Sequence, residues 1–70
     1  MILMEQIRER IAEAIKQSKY NQSEIAHLLN IRHQQVSCYA LGKKLPALDT
    51  LANFCKVLDL DANYILCLTD

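Results

Sequence analysis

Glycine and proline are almost missing from this chain, with one of each in 70 residues. Tight turns draw heavily on those two residues, so an all-helical fold is favoured over a hairpin-rich sheet. No CxxC pair occurs. The cysteines, Cys38, Cys55 and Cys67, are odd in number and widely spaced. That argues against a tetrahedral metal site and points to reduced thiols in a cytosol. No apolar run approaches the roughly 18 residues of a membrane span. Only four apolar residues precede Glu5, so a signal peptide is not expected. Neither charge sign dominates, with eight bases against eight acids. A strongly basic nucleic-acid binder would carry more positive charge. Enzyme chemistry has no foothold either: the acids are scattered, no nucleophile–base pair has a recognisable spacing, and no glycine loop exists to cradle a phosphate. No cofactor is implied.

The chain does carry a 51% hydrophobic fraction, enough for one small globular domain across residues 1–70. Its charge is unevenly spread. Residues 1–24 hold four acids and four bases; residues 25–44 hold Arg32, Lys43 and Lys44 with no acid; residues 45–70 hold four aspartates against Lys56. A basic centre beside an acidic tail suggests one positive face.

Hydrophobic spacing divides the chain into five helices. Ile7, Ile11 and Ile15 recur every four residues, with Leu3 and Ala14 on the same side, and predict a helix from about Ile2 to Ser18. Asn21 is a good N-cap for a second helix. Glu24 stands at the capping-box position, and Tyr20 with Ile25 has the spacing of a hydrophobic staple. Ile25, Leu28 and Leu29 supply its buried face. Asn30 stands where a left-handed residue would end it. A third helix runs from about His33 to Leu41 and stops at Gly42; its wheel places Val36, Tyr39 and Ala40 inside and leaves Gln34, Ser37, Cys38 and Leu41 together on a freer side. After Pro46, the series Leu48, Leu51, Cys55 and Leu58 predicts a fourth helix with Phe54 beside its stripe. Asp61 caps a short fifth helix through Ile65 and Leu66. Tyr64, Leu66 and Leu68 either finish the core or form a dimer seam.

Two short helices joined by a tight turn, the second with a free polar side, is the helix-turn-helix design. The side chains suit the major groove. A glutamine amide donates and accepts at once and matches adenine N6 and N7, and Gln34 and Gln35 open the third helix after His33. Lys43 and Lys44 follow the helix, placed to neutralise backbone phosphate. The string Asn21-Gln22-x-Glu24-Ile25-Ala26-x-Leu28-Leu29-Asn30-Ile31, then Val36-Ser37-x-Tyr39, Gly42-Lys43 and Pro46, resembles the lambda repressor/Cro-type (XRE-like) helix-turn-helix family. The likeness runs without a gap and continues through Leu48, Leu51, Leu58, Leu60 and Ile65.

This resemblance implies an all-α, five-helix, lambda-repressor-like domain whose motif spans about residues 21–41. It gives Gln22 a phosphate contact and a bracing role toward the recognition helix. Base readout falls on His33, Gln34 and Cys38, with Ser37 nearby and Gln35 adjoining more sideways. Backbone contact falls on Lys43 and Lys44. Several positions depart from the family pattern. Arg32 replaces the usual Ser or Thr cap of the recognition helix, losing an acceptor but adding a charge near DNA. Ala40 and Ile15 replace a Glu–Arg pair, and an apolar pair of this kind can be as stable as a buried ion pair. Ala47 is a poor cap for the fourth helix, and Cys38 is a feeble base reader. The expected function is sequence-specific binding of a double-stranded operator by a cytoplasmic transcriptional regulator of prokaryotic or phage origin. It is expected to act as a repressor and a homodimer, with half-sites about 34 Å apart. The second reading is a protein-interaction module, such as an antitoxin or a regulator that binds a partner protein.

Overall fold

A computed structural model describes residues 1–69; Asp70, one of the four C-terminal acids, lies outside the described residues. Five helices follow in order: α1 (Met4–Gln17), α2 (Gln22–Leu29), α3 (His33–Ala40), α4 (Leu48–Val57) and α5 (Ala62–Ile65). There is no strand among the described residues. The predicted series of elements is therefore the observed one, with ends shifted by one or two residues.

The core is assembled from all five helices. Ile25 of α2, Val36 of α3, Phe54 of α4 and Ile65 of α5 are each almost wholly buried. Ile11 and Ile15 complete the core from α1. Helix α3 packs on both α1 and α2. The Tyr39 and Phe54 rings meet edge to face, with centroids 5.9 Å apart, a geometry that adds about 0.5–1.5 kcal/mol to their burial. Ile15 and Ala40 are both buried, and no charged side chain is buried among the described residues. The apolar pair thus removes any need to desolvate ions at the α1–α3 contact.

Three apolar residues assigned inward by spacing lie outward. Leu28 is 44% exposed. The packed face of α2 is centred between Ile25, Ala26 and Leu29, and at 100° per residue Leu28 falls on its edge. Leu3 is exposed because it is the extended N-cap of α1, not part of the helix. Leu48 stands at the first position of α4, and the stripe that packs begins one turn later at Leu51. Phe54, placed beside that stripe by its spacing, is the centre of it.

Four helices end the same way. Asn30, Gly42, Asp59 and Cys67 all have positive φ, between 55° and 71°. After each, the next residue's N–H reaches back five residues: Ile31 to Ala26, Lys43 to Cys38, Leu60 to Cys55 and Leu68 to Asn63. This Schellman arrangement satisfies carbonyls that the helix leaves open. Only one of the four is glycine. Cys67 has neither glycine's freedom nor the short polar side chain of Asn or Asp, and holds its left-handed conformation at the greatest cost.

The last turn is tied to the first helix by Arg10. Its guanidinium donates to the carbonyls of Tyr64 and Thr69 and lies over the Tyr64 ring, 4.3 Å from the centroid. Ile65 thereby finishes the core, Leu66 is half-buried, and Tyr64 and Leu68 stay exposed.

Phe54→Ala is expected to cost about 3–5 kcal/mol, most of the stability of a chain this size, whereas Leu48→Ala should stay within about 0.5 kcal/mol. Urea unfolding followed by circular dichroism measures both, and equal costs would contradict the burial described here. A second expectation concerns alkali. Burial, and then Asp61, pushes the Cys55 thiol above its ordinary value of 9.0. Burial, and then Cys38, raises the Tyr39 phenol. Both groups are neutral when protonated, so the stability they contribute is full below their ordinary values and is lost as pH rises through the raised ones. Stability should fall progressively above about pH 9, and Cys55→Ala should move the onset upward.

Candidate nucleic-acid interface

The α2–α3 pair is built from its joints outward. Asn21 Oδ1 accepts from the Glu24 N–H at 2.8 Å, and Glu24 Oε1 accepts from the Asn21 N–H at 2.9 Å. This reciprocal box fixes where α2 starts. Tyr20, just before the cap, packs on the core that contains Ile25. At the other end Asn30 adopts φ 55°, ψ 45°, which turns the chain sharply, and Ile31 follows it back onto the core. Helix α3 begins only three residues after Asn30.

Helix α3 starts without a side-chain acceptor, because Arg32 occupies the cap and has none to offer. Gln35 supplies the other half of a box: its Oε1 accepts from the Arg32 N–H at 3.0 Å. The same device recurs at α1, where Gln6 Oε1 accepts from the Leu3 N–H at 3.0 Å. The resemblance sets Gln35 beside the reading surface, pointing more sideways. It remains exposed, but one end of its amide is committed to holding the start of α3. A Gln three residues beyond the cap was the available signal for this role.

Between the two helices, the Ser37 hydroxyl donates to Gln22 Oε1 at 2.8 Å. This bond joins the first residue of α2 to the middle of α3. The Gln22 amide nitrogen keeps its two donors. His33 and Gln34 are exposed on the first turn of α3, and Ser37 and Cys38 are half-buried one turn on. Leu41 is 67% exposed where α3 ends, so the free side of this helix passes from amides to apolar groups along its length. The Schellman stop at Gly42 commits the Lys43 backbone to Cys38, and both lysine side chains are exposed.

A groove of about 580 Å³ runs beside α3, lined by Arg32, Gln34, Gln35, Cys38, Tyr39, Lys44 and Leu45. It gathers five of the nine residues expected at the interface: Arg32, Gln34, Gln35, Cys38 and Lys44. Gln22 and Ser37 form the brace, and His33 and Lys43 stand outside the groove. His27 is exposed beside Tyr20 and Leu28, in a shallow depression on α2. Among the described residues no three His, Cys, Asp or Glu side chains gather into a metal-binding group. No helix there is long and apolar enough to cross a membrane.

Arg32→Ser supplies the missing cap acceptor and should raise stability by about 0.5–1 kcal/mol. A thermal melt measures it; an unchanged or lowered midpoint would show that the start of α3 is already satisfied.

A family model for helix-turn-helix proteins matches residues 11–65, which takes in part of α1 and all of α2 to α5. No curated protein and no solved structure matches the chain significantly. The family match, the five helices and the exposed polar side of α3 agree, and the chain belongs to the Cro/C1-type, XRE-like helix-turn-helix family of DNA-binding transcription regulators.

Proposed function

We propose that the protein is a transcriptional repressor that places α3 in the major groove of a double-stranded operator and blocks promoter access. The exposed His33 and Gln34 on the first turn of α3, held against α2 by the Gln22–Ser37 bond, carry this reading. Gln34 is the principal reader, its amide pairing with adenine N6 and N7. His33 meets a base edge or a phosphate beside it. Gln22, already accepting from Ser37, donates its amide protons to a phosphate, so one side chain positions both the helix and the DNA backbone. Lys43 and Lys44 neutralise phosphate after the recognition helix. Cys38 and Leu41 contribute little directional hydrogen bonding, so discrimination is concentrated at the N-terminal end of α3.

The active form is a homodimer on a two-fold-related site with half-sites about 34 Å apart. The exposed Tyr64 and Leu68 support a seam near α5. The protein-interaction reading draws on other exposed apolar side chains, Met4 and Leu48, that the recognition surface does not use.

In vitro selection of bound duplex from a random pool provides the direct test. A selected site with two-fold symmetry is expected; failure to enrich any sequence while a partner protein is captured would favour the second reading. On that site Gln34→Ala should cost about 1–3 kcal/mol and relax preference at one base pair. Lys43→Ala with Lys44→Ala should lower the salt slope by about 2 with little change in preference.

A further inference from the structure

We propose that the groove between α3 and the α3–α4 loop is a seat for one phosphate group, with Arg32 and Lys44 as its paired cations and the Gln35 amide as a fixed donor. This rests on the DNA-binding reading above and assigns the seat to a single backbone phosphodiester. The two lysines after α3 are therefore not equivalent.

The arrangement singles out Lys44. Arg32 and Lys44 line the same groove although twelve positions apart, while Lys43 does not line it. No carboxylate lines the groove, and residues 25–44 contain none. The groove thus carries two cations without an internal counter-charge, an arrangement that favours an anion. Arg32 offers a planar fork and Lys44 a compact point charge, two complementary ways of holding phosphate oxygens. Gln35 supplies direction. Its Oε1 is held by the Arg32 N–H at 3.0 Å. That bond turns the amide so that Nε2, which carries only donors, is the end left for a ligand. Gln34 lines the same groove. A phosphate seated there sets the register of the duplex directly beside the base reader. The missing acceptor at the start of α3 has a corresponding use: Ser or Thr at position 32 would cap the helix, and Arg32 instead contributes a cation to the seat.

The test is a methylphosphonate scan of the selected duplex, neutralising one phosphate at a time and measuring affinity by fluorescence anisotropy. One position per half-site should weaken wild-type binding roughly tenfold. Arg32→Ala and Lys44→Ala should each weaken the intact duplex by a similar factor and become insensitive to neutralisation at that same position. Lys43→Ala should stay sensitive there. Arg32→Lys should retain part of the sensitivity, and all four side-chain changes are at exposed positions, so melts confirm that each variant is folded. Additive losses at every position, or loss of sensitivity in Lys43→Ala instead, overturn the seat while leaving the base-reading assignment of Gln34 intact. If no duplex is selected, the DNA reading itself fails. Titration with inorganic phosphate, followed through the Gln35 and Lys44 amide resonances, distinguishes the source. Saturation below millimolar phosphate would assign the groove to a free anion and overturn the phosphodiester assignment.

Discussion

The recognition surface depends on one backbone conformation, the left-handed Asn30. With φ at 55°, this residue stops α2 and sends the chain back toward the core through Ile31. The turn is short because the Schellman bonds use the carbonyls of Ala26 and His27 that the helix end would otherwise leave to water. A residue that resists this conformation would lengthen or loosen the joint, and the angle between α2 and α3 would no longer be set locally. The Ser37–Gln22 bond and the packing of Ile25 and Val36 then act on an angle already chosen.

Glutamine does three separate jobs around that joint. Gln22 braces, Gln35 closes the start of α3, and Gln34 is left free on the exposed side. The distinction rests on which oxygen or nitrogen each amide has already used. A neutral chain also suits this division. The bases that matter lie in an acid-free segment, while the four C-terminal acids keep the overall charge at zero. A chain of zero net charge has limited non-specific attraction to DNA, and its positive charge is concentrated around α3.

The sequence disclosed the fold's punctuation better than its depth. Asn21 with Glu24, Asn30 and Gly42 were legible because each residue type has a distinct local chemistry at a helix end. Asp59 and Cys67 were not, since neither residue prefers a positive φ strongly enough to signal one. Leu28, Leu3 and Leu48 misled because a wheel gives direction without saying how far the neighbouring helix extends. Phe54 was underrated for the converse reason: it meets the Tyr39 ring of α3 within the core shared with the other helices, and spacing along α4 alone does not contain that fact. At the candidate interface, the exposure of His33, Gln34 and the two lysines and the acid-free segment were legible. The difference between Lys43 and Lys44 required coordinates, because it depends on how α3 sits against the loop that follows it. The bond of Gln35 to the Arg32 N–H is local to the start of α3, and its signal was the Gln three residues beyond the cap.

The Arg10 clamp bears on the order in which these parts form. The α2–α3 pair closes over short stretches of chain: five residues from Ala26 to Ile31, and 15 from Gln22 to Ser37. Arg10 reaches across 54 and 59 residues to Tyr64 and Thr69. Loop closure costs more entropy as the loop lengthens, and contacts of high sequence separation come late. The α2–α3 pair is therefore expected to assemble first and α5 to be fastened last. Local opening is expected to take the reverse order, with α5 released from α1 while α2 and α3 are still in register.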